Sequence, residues 1–169
     1  VKNIVFGIND EKVKTDDKIL AAASCTTNAI APVLKLVDDN FKIVSGHIET
    51  VHAYTNDQNL IDNYHPSDRR GRSAALNLVI TDTGAAKAVS EVLPELKGKL
   101  TANAIRVPTP NVSLAILNLT LKRGVGVDEI NDCFRKAAFR SKLRETIDYT
   151  NSIEAVSSDF YSNEFAVVY

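Results

Sequence analysis

Apolar residues recur at helical spacing in three segments of the chain. Intervals of three and four residues place each set on one face of a helix. The three sets are Ile30, Val33, Leu34 and Val37; Val89 and Val92 after a run of small residues; and Ile130, Cys133, Phe134, Ala137 and Ala138. The first predicted helix ends near Asp39. The second has Thr83 as its N-cap and Pro94 beyond its end, and Asp128 is the predicted cap of the third.

Runs of apolar and β-branched residues predict three strands. They cover residues 4–6, 43–54 and 112–122. In the last run the odd-numbered positions from Ala115 to Leu121 are apolar, whereas the even-numbered positions change from apolar to polar, so one face belongs to the core. A polar, basic stretch over 56–72 predicts a long functional loop. The order strand, helix, strand, loop, helix, strand, helix predicts a mixed α and β fold with helices packed against a sheet.

Composition and charge narrow the class of protein. With 169 residues the chain can form one hydrophobic core, because domains usually contain about 100 to 200 residues. Its 20 Lys and Arg against 21 Asp and Glu give a net charge of −1, which argues against general binding of nucleic acid or an anionic membrane. No apolar run can cross a bilayer and no secretory signal is visible, so we expect a cytoplasmic protein. Methionine is absent, which leads us to expect a piece of a longer protein.

The two cysteines have different surroundings, and their number fits neither a disulfide framework nor a zinc site with four ligands. Cys133 lies in an apolar helical stripe, and we interpret it as a core residue. Cys25 lies in a polar run at the start of the first helix, where backbone N–H groups and the helix dipole favour a thiolate. Pro32 would bend a helix that begins there, so this helix either begins nearer Asn28 or kinks. A reactive thiol and a buried inert thiol both remain open for Cys25.

A nucleophilic thiol needs a base, and the three histidines His47, His52 and His65 are the candidates. His47 and His52 are five positions apart on the predicted strand and point to opposite faces, so at most one can face the thiol. The residues after His52 enter the loop, and function often concentrates at such a strand end. Each histidine can also be an ordinary surface or core residue.

Arginines form a second candidate site. Arg69, Arg70 and Arg72 cluster in the loop, and Arg106 lies between two apolar residues, where a lone charge is costly unless it meets a partner. Phosphate matches guanidinium groups in forked hydrogen bonds, and residues 83–84 at a predicted helix start offer further donors to such an anion. Salt bridges to acidic residues, or a subunit contact, explain the arginine loop equally well.

Six stretches of the sequence together resemble the catalytic domain of phosphorylating glyceraldehyde-3-phosphate dehydrogenase. They are Ala23–Asn28 (ASCTTN), Thr50–Gln58 (TVHAYTNDQ), His65–Ala75 (HPSDRRGRSAA), Thr83–Val89 (TGAAKAV), Pro94–Leu100 (PELKGKL) and Arg106–Ser113 (RVPTPNVS). They follow the order of that family along nearly the whole chain. The resemblance implies an α+β fold with a mixed, largely antiparallel sheet and helices packed on one face. It also implies a glycolytic oxidoreductase that converts glyceraldehyde 3-phosphate, phosphate and NAD to 1,3-bisphosphoglycerate and NADH through a cysteine thioester.

The matched positions imply roles for individual residues. Cys25 resembles the nucleophile, and His52 resembles the residue that activates the thiol and assists hydride transfer. The residues implied to bind the attacking inorganic phosphate are Ser24, Thr26, Thr83 and Gly84, and those implied to bind the substrate phosphate are Thr55, Asp57, Arg70 and Arg106. The stretch from 55 to about 78 resembles a loop that contacts a neighbouring subunit, which assigns Arg69 and Arg72 to contacts within a homo-oligomer, a tetramer in this family.

The sequence departs from the family pattern at both ends. No Gly-rich phosphate turn precedes Cys25, so residues 1–169 are expected to be the catalytic domain, incomplete at both ends and without the N-terminal domain that binds NAD or NADP. This chain alone is therefore expected to be inactive in hydride transfer. Asn163 lies in a faint echo of the family segment beside the nicotinamide, and an ordinary continuation of the chain explains it as well.

Three other functions remain open. The stretch Asn56–Asp62 (NDQNLID), with Tyr64 and His65, also resembles erythrose-4-phosphate dehydrogenase. A non-catalytic fragment would keep only the subunit-contact surface. A thiol hydrolase also uses a Cys with a His, but that class would not explain two anion sites.

Overall fold

The fold contains three helices and eight strands, and the computed structural model describes residues 1–169. The helices are α1 (Cys25–Phe41), α2 (Ala85–Val92) and α3 (Val127–Arg140). The strands are β1 (Lys2–Asn3), β2 (Leu20–Ala21), β3 (Ile43–Ala53), β4 (Val79–Thr81), β5 (Leu100–Val107), β6 (Leu114–Leu121), β7 (Ile147–Asp148) and β8 (Val167–Val168). No helix among them has the length and apolar character that a membrane span requires.

A four-stranded mixed sheet in the order β4-β5-β3-β6 forms the centre of the fold. β3 pairs in parallel with β5 and antiparallel with β6, while β4 pairs antiparallel with β5. The strands β1 and β2, and likewise β7 and β8, form separate parallel pairs. The predicted α+β fold with a mixed, largely antiparallel sheet is therefore confirmed. The parallel register places His52 directly opposite Arg106.

The helices cover one face of this sheet and form the core with it. Ile48, Thr50 and His52 alternate along β3 toward that face and are buried. All three helices contribute to the hydrophobic cluster, which includes Ile30, Leu34, Val37, Val89, Val92 and Phe134. The other face of the sheet exposes apolar side chains such as Ile80 and Leu114.

The helix α1 begins at Cys25, and not nearer Asn28, because Ser24 caps it. The Oγ of Ser24 accepts a hydrogen bond from the Thr27 N–H at 3.1 Å, which satisfies a donor that has no partner inside the helix. Pro32 lies inside the helix and cannot donate to the carbonyl one turn earlier. The helix nevertheless continues beyond the proline, because its apolar face packs in the core. The thiol is thus placed in the first turn.

The sequence pattern did not predict β4 or the central strand β5. The side of β5 that faces the helices carries Ala102, which is partly buried, and Ala104, which is buried, and α2 contacts this strand. Alanine and asparagine are infrequent in strands, so the composition of β5 conceals it. Its place in the sheet depends on pairing with β3, which is distant in sequence.

The predicted strand at residues 4–6 is wrong in position. The pairing with β2 is made by Lys2–Asn3, and the chain then turns so that Val5 is buried and its N–H donates to the Oδ1 of Asn9 at 2.8 Å. The turn places Val5 in the core and leaves Phe6 exposed.

The predicted caps of α2 and α3 are also wrong. Gly84 and Gly126 occupy the two N-cap positions, so Thr83 lies one residue before the cap and Asp128 lies in the first turn of α3. A carboxylate in the first turn still interacts favourably with the helix dipole.

Candidate active site

The Cys25 thiol lies at the exposed start of α1, where the local structure favours its ionised form. The hydrogen bond between Cys25 and His52 is the main reason that the pKa of Cys25 falls from 9.0 to about 7, and burial opposes this shift. Hydrogen bonds from the side chain and backbone of Thr26 lower the pKa of the thiol further. Cys25 therefore has the partial exposure and low pKa of a reactive cysteine.

His52 lies at the end of β3 and faces this thiol. Its Nε2 is 3.5 Å from the Sγ of Cys25, and its Nδ1 is 2.6 Å from the carbonyl oxygen of Ala53. The imidazole is buried, so the sheet fixes its orientation toward the first turn of α1. The two residues form the thiol and imidazole pair that nucleophilic catalysis requires.

The other two histidines do not contact the thiol. His47 points to the opposite face of β3, where its two ring nitrogens lie 2.7 Å from the Oγ1 of Thr101 and 2.6 Å from the Oδ1 of Asn103. His65 lies in the loop after β3, and its Nε2 is 3.7 Å from the Oδ1 of Asp57. Strand alternation thus separates His52 from His47, and the position of His65 in the loop keeps it away from the thiol.

Arg106 extends from β5 to the back of the His52 ring. Its Nη1 lies 2.9 Å from the Nδ1 of His52, 3.2 Å from the oxygen of Ala53 and 3.4 Å from the Oγ1 of Thr55. No carboxylate pairs with it, and its Nε is a buried donor without an acceptor. Burial, and then the charge of Arg70, lower the pKa of Arg106. A guanidinium with an unused buried donor beside a second cation is suited to binding an anion.

The remaining arginines of the candidate set have carboxylate partners or are exposed. Arg70 pairs with Asp57 and also donates from Nε and Nη2 to the Oγ1 of Thr81, at 3.2 and 3.0 Å. Arg72 pairs with Asp62 at 3.2 Å. The salt-bridge interpretation of the arginine loop thus holds for Arg70 and Arg72, whereas Arg69, the third arginine of the loop, is exposed and has no carboxylate partner.

Four other candidate residues make only local hydrogen bonds. Thr83 Oγ1 accepts from the Ala85 N–H at 3.2 Å, and Gly84 caps α2. The Oγ of Ser24 is engaged in the cap of α1. Asn163 lies in an exposed turn and accepts from the N–H of Phe165. None of these four makes a hydrogen bond with Cys25, His52 or Arg106.

Two residues that support the site were not predicted from the sequence. Thr81, on β4, accepts the hydrogen bonds from Arg70. Gln58 is buried, and its Oε1 accepts from the N–H of Thr55 at 3.3 Å while its own N–H donates to the oxygen of Thr55 at 3.0 Å. The turn that Gln58 closes holds the Thr55 hydroxyl near Arg106. A polar glutamine inside a polar loop carries no sequence signal for this role.

The two thiols should differ sharply in their reaction with iodoacetamide. Cys25 should react with a rate that rises with pH around a midpoint near 7, since the thiolate is the reactive form. Burial raises the pKa of Cys133, so its alkylation should be slower and should need a more alkaline pH. Peptide mapping after brief treatment of the folded chain measures both rates. Equal labelling below pH 8 would remove the argument for an activated Cys25.

Comparisons with known proteins identify close relatives of the chain. It is 61% identical over 168 residues to a glyceraldehyde-3-phosphate dehydrogenase-like protein of Pseudomonas aeruginosa, covering 99% of this chain and 36% of that protein. It is 47% identical over 166 residues to a glyceraldehyde-3-phosphate dehydrogenase of Mycobacterium bovis (98% and 48% covered) and 46% identical over 169 residues to one of Borreliella burgdorferi (99% and 50% covered). The chain thus spans between about a third and a half of the length of these relatives.

Residues 24–169 match the family described as the glyceraldehyde 3-phosphate dehydrogenase C-terminal domain. The match begins at the cap of α1 and includes both members of the thiol and imidazole pair. The chain therefore belongs to the glyceraldehyde-3-phosphate dehydrogenase family, and it carries the C-terminal domain of that family.

Proposed function

We propose that this chain provides the catalytic domain of a phosphorylating glyceraldehyde-3-phosphate dehydrogenase. The observation that carries the proposal is Arg106, a cation without a carboxylate partner, beside the pair of Cys25 and His52. A thiol and an imidazole alone are common to many acyl-transfer sites. A thiol that acts next to a free guanidinium suits an aldehyde that also bears a phosphate.

The first chemical step is addition of the Cys25 thiol to the aldehyde carbon of glyceraldehyde 3-phosphate. The Sγ–C bond forms as the carbonyl π bond breaks, and the thiol proton passes to the Nε2 of His52 and then to the former carbonyl oxygen. The product is a thiohemiacetal, and the step needs no oxidant. The 3.5 Å separation of Sγ and Nε2 suits this proton transfer.

The substrate phosphate is proposed to bind Arg106, with the Thr55 hydroxyl and Arg70 beside it. Asp57, which pairs with Arg70, then orients that guanidinium and does not itself face the anion. For the inorganic phosphate we propose the hydroxyl and backbone donors of Ser24, Thr26, Thr83 and Gly84.

NAD is the proposed hydride acceptor, yet these 169 residues do not fit a dinucleotide by themselves. A dinucleotide turn joins a strand of a parallel sheet to a helix through closely spaced glycines. The turn before α1 contains no glycine, and α2 and α3 follow β4 and β6, which pair only antiparallel. We therefore propose that residues outside this chain hold the cofactor, whether NAD or NADP, and no hydride step is assigned to residues of this chain.

A homo-oligomer, a tetramer by family resemblance, is also proposed. The loop that follows β3 exposes Arg69, and the open face of the sheet exposes Ile80 and Leu114, each about three-fifths accessible. These surfaces are available for contacts between subunits in a cytoplasmic enzyme.

The proposed function predicts that a phosphorylated aldehyde protects Cys25 from iodoacetamide. Glyceraldehyde 3-phosphate should protect at concentrations about tenfold lower than glyceraldehyde, because hydrogen bonds to a charged group contribute about 1.5 kcal/mol or more. Arg106→Met should remove this advantage, whereas Arg69→Met, the matched loss of an exposed arginine charge, should keep it. Erythrose 4-phosphate in the same assay shows which of the two sugar phosphates protects Cys25 at the lower concentration. Equal protection by both forms of glyceraldehyde would contradict the proposal.

A further inference from the structure

The Nδ1 of His52 has two incompatible neighbours. It lies 2.6 Å from the carbonyl oxygen of Ala53, which can only accept a hydrogen bond, and 2.9 Å from the Nη1 of Arg106, which can only donate one. The Nδ1 of a neutral imidazole carries either a proton or a lone pair. It can therefore satisfy Ala53 or Arg106, and it cannot satisfy both at once.

The hydrogen-bond partner of Nδ1 determines whether Nε2 presents a proton or a lone pair to the Cys25 thiol. If Nδ1 accepts from Arg106, the proton of the neutral ring is on Nε2, which then points a donor at the Sγ of Cys25. If Nδ1 donates to Ala53, Nε2 presents a lone pair to Sγ at 3.5 Å. Only the second tautomer can take the thiol proton.

We propose that a tetrahedral oxyanion bound by Arg106 switches His52 to the tautomer that accepts the proton of Cys25. The inference rests on the proposed function in one respect, namely that Arg106 binds the oxyanion. Its Nη1 is shared among His52, Ala53 and Thr55, while its Nε has no acceptor. An oxyanion supplies stronger, charge-assisted acceptors and draws the guanidinium away from Nδ1.

Three other charged groups at the site act on the guanidinium of Arg106. The charge of Arg70 lowers the pKa of Arg106, whereas the charges of Cys25 and Asp57 raise it. Because Asp57 is already paired with Arg70, it does not compete strongly with the anion for Arg106. In this role Arg106 is a positioning residue for His52, because an anion bound at Arg106 leaves Nε2 able to accept the proton of a Cys25 thiol that is still protonated.

Nitrogen NMR of the chain labelled with ¹⁵N-histidine tests the switch, since the shifts of Nδ1 and Nε2 distinguish the two tautomers. At a pH where the ring is neutral, inorganic phosphate and glycerol 3-phosphate are added separately, and ³¹P line broadening reports binding independently. The anion that binds should change the ratio of the His52 tautomers by about fivefold or more toward Nδ1–H, at the lower end of typical coupling between sites. If inorganic phosphate produces the change, Arg106 binds inorganic phosphate. If glycerol 3-phosphate produces it, Arg106 binds a phosphate ester.

Two variants separate this switch from a merely structural role. Arg106→Met should have the Nδ1–H tautomer without any anion and should not respond to phosphate, whereas Arg69→Met should behave as the parent chain. The signals of His47, on the opposite face of the sheet, should be unchanged and show that each variant is folded. Anion binding without a change at His52 would overturn the switch and leave the proposed anion site intact. A phosphate response that persists in Arg106→Met would overturn the switch and also the assignment of the anion to Arg106. Absence of binding to the parent chain would overturn both.

Discussion

Replacing His52 with alanine should slow the alkylation of Cys25 at pH 7 by roughly five- to tenfold. With a pKa of about 7, about half of the Cys25 thiol is ionised at this pH. The ionised fraction falls toward about 1% as the pKa rises toward 9.0, because each pH unit is a factor of ten. The greater nucleophilicity of a more basic thiolate offsets part of this loss, which gives the roughly five- to tenfold net effect. The measurement is the iodoacetamide rate as a function of pH.

The matched control is His47→Ala, which removes an imidazole from the same strand on its opposite face. That variant should keep the midpoint near pH 7. If both variants shift the midpoint equally, the effect comes from the sheet and not from the hydrogen bond to Cys25. An unchanged midpoint in His52→Ala would assign the low pKa to the first turn of α1 alone.

Phe134→Ala should destabilise the fold by about 3 to 5 kcal/mol, the usual cost of removing a buried phenyl ring and leaving a cavity. Phe134 is 1% exposed, and its ring stacks on Tyr169 with centroids 3.8 Å apart. The loss includes the packing of α3 against α1 and β7. Urea unfolding followed by circular dichroism gives the free energy of unfolding.

Phe139→Ala provides the control on the same helix. This ring is 66% exposed, so its removal should change the free energy of unfolding by less than about 0.5 kcal/mol. If the two variants lose similar stability, Phe134 does not lie in the core that α3 shares with α1 and β3. Should Phe134→Ala fail to fold, Phe134→Leu gives the same order of effects with a smaller loss.

The elements with strong periodicity were predicted well from the sequence. The stripe of α3 that includes Phe134 and Ala137 is buried, and Leu117 and Leu119 of β6 pack against the core on the predicted face. The opposite orientations of His47 and His52 follow from strand alternation alone. In each case the local spacing along the chain decides which side of the element meets the core.

The arrangement of the site depends on contacts between distant segments, which local patterns do not contain. The approach of Arg106 to His52 results from the parallel register of β5 with β3, although β5 has a composition that conceals a strand. The pairing of Arg70 with Asp57 depends on how the loop folds back on itself. Family resemblance placed these four residues in one site. The folded chain alone shows that Arg106 contacts the ring of His52 and that Arg70 contacts the carboxylate of Asp57.

The most direct test of this account is the capture of the aldehyde by Cys25. When glyceraldehyde 3-phosphate labelled with ¹³C at its aldehyde carbon is added to the folded chain without NAD, we expect the ¹³C resonance of a protein-bound thiohemiacetal. The resonance should be absent from Cys25→Ser and much weaker in Arg106→Met. A folded parent chain with a reactive Cys25 and no thiohemiacetal would contradict the account.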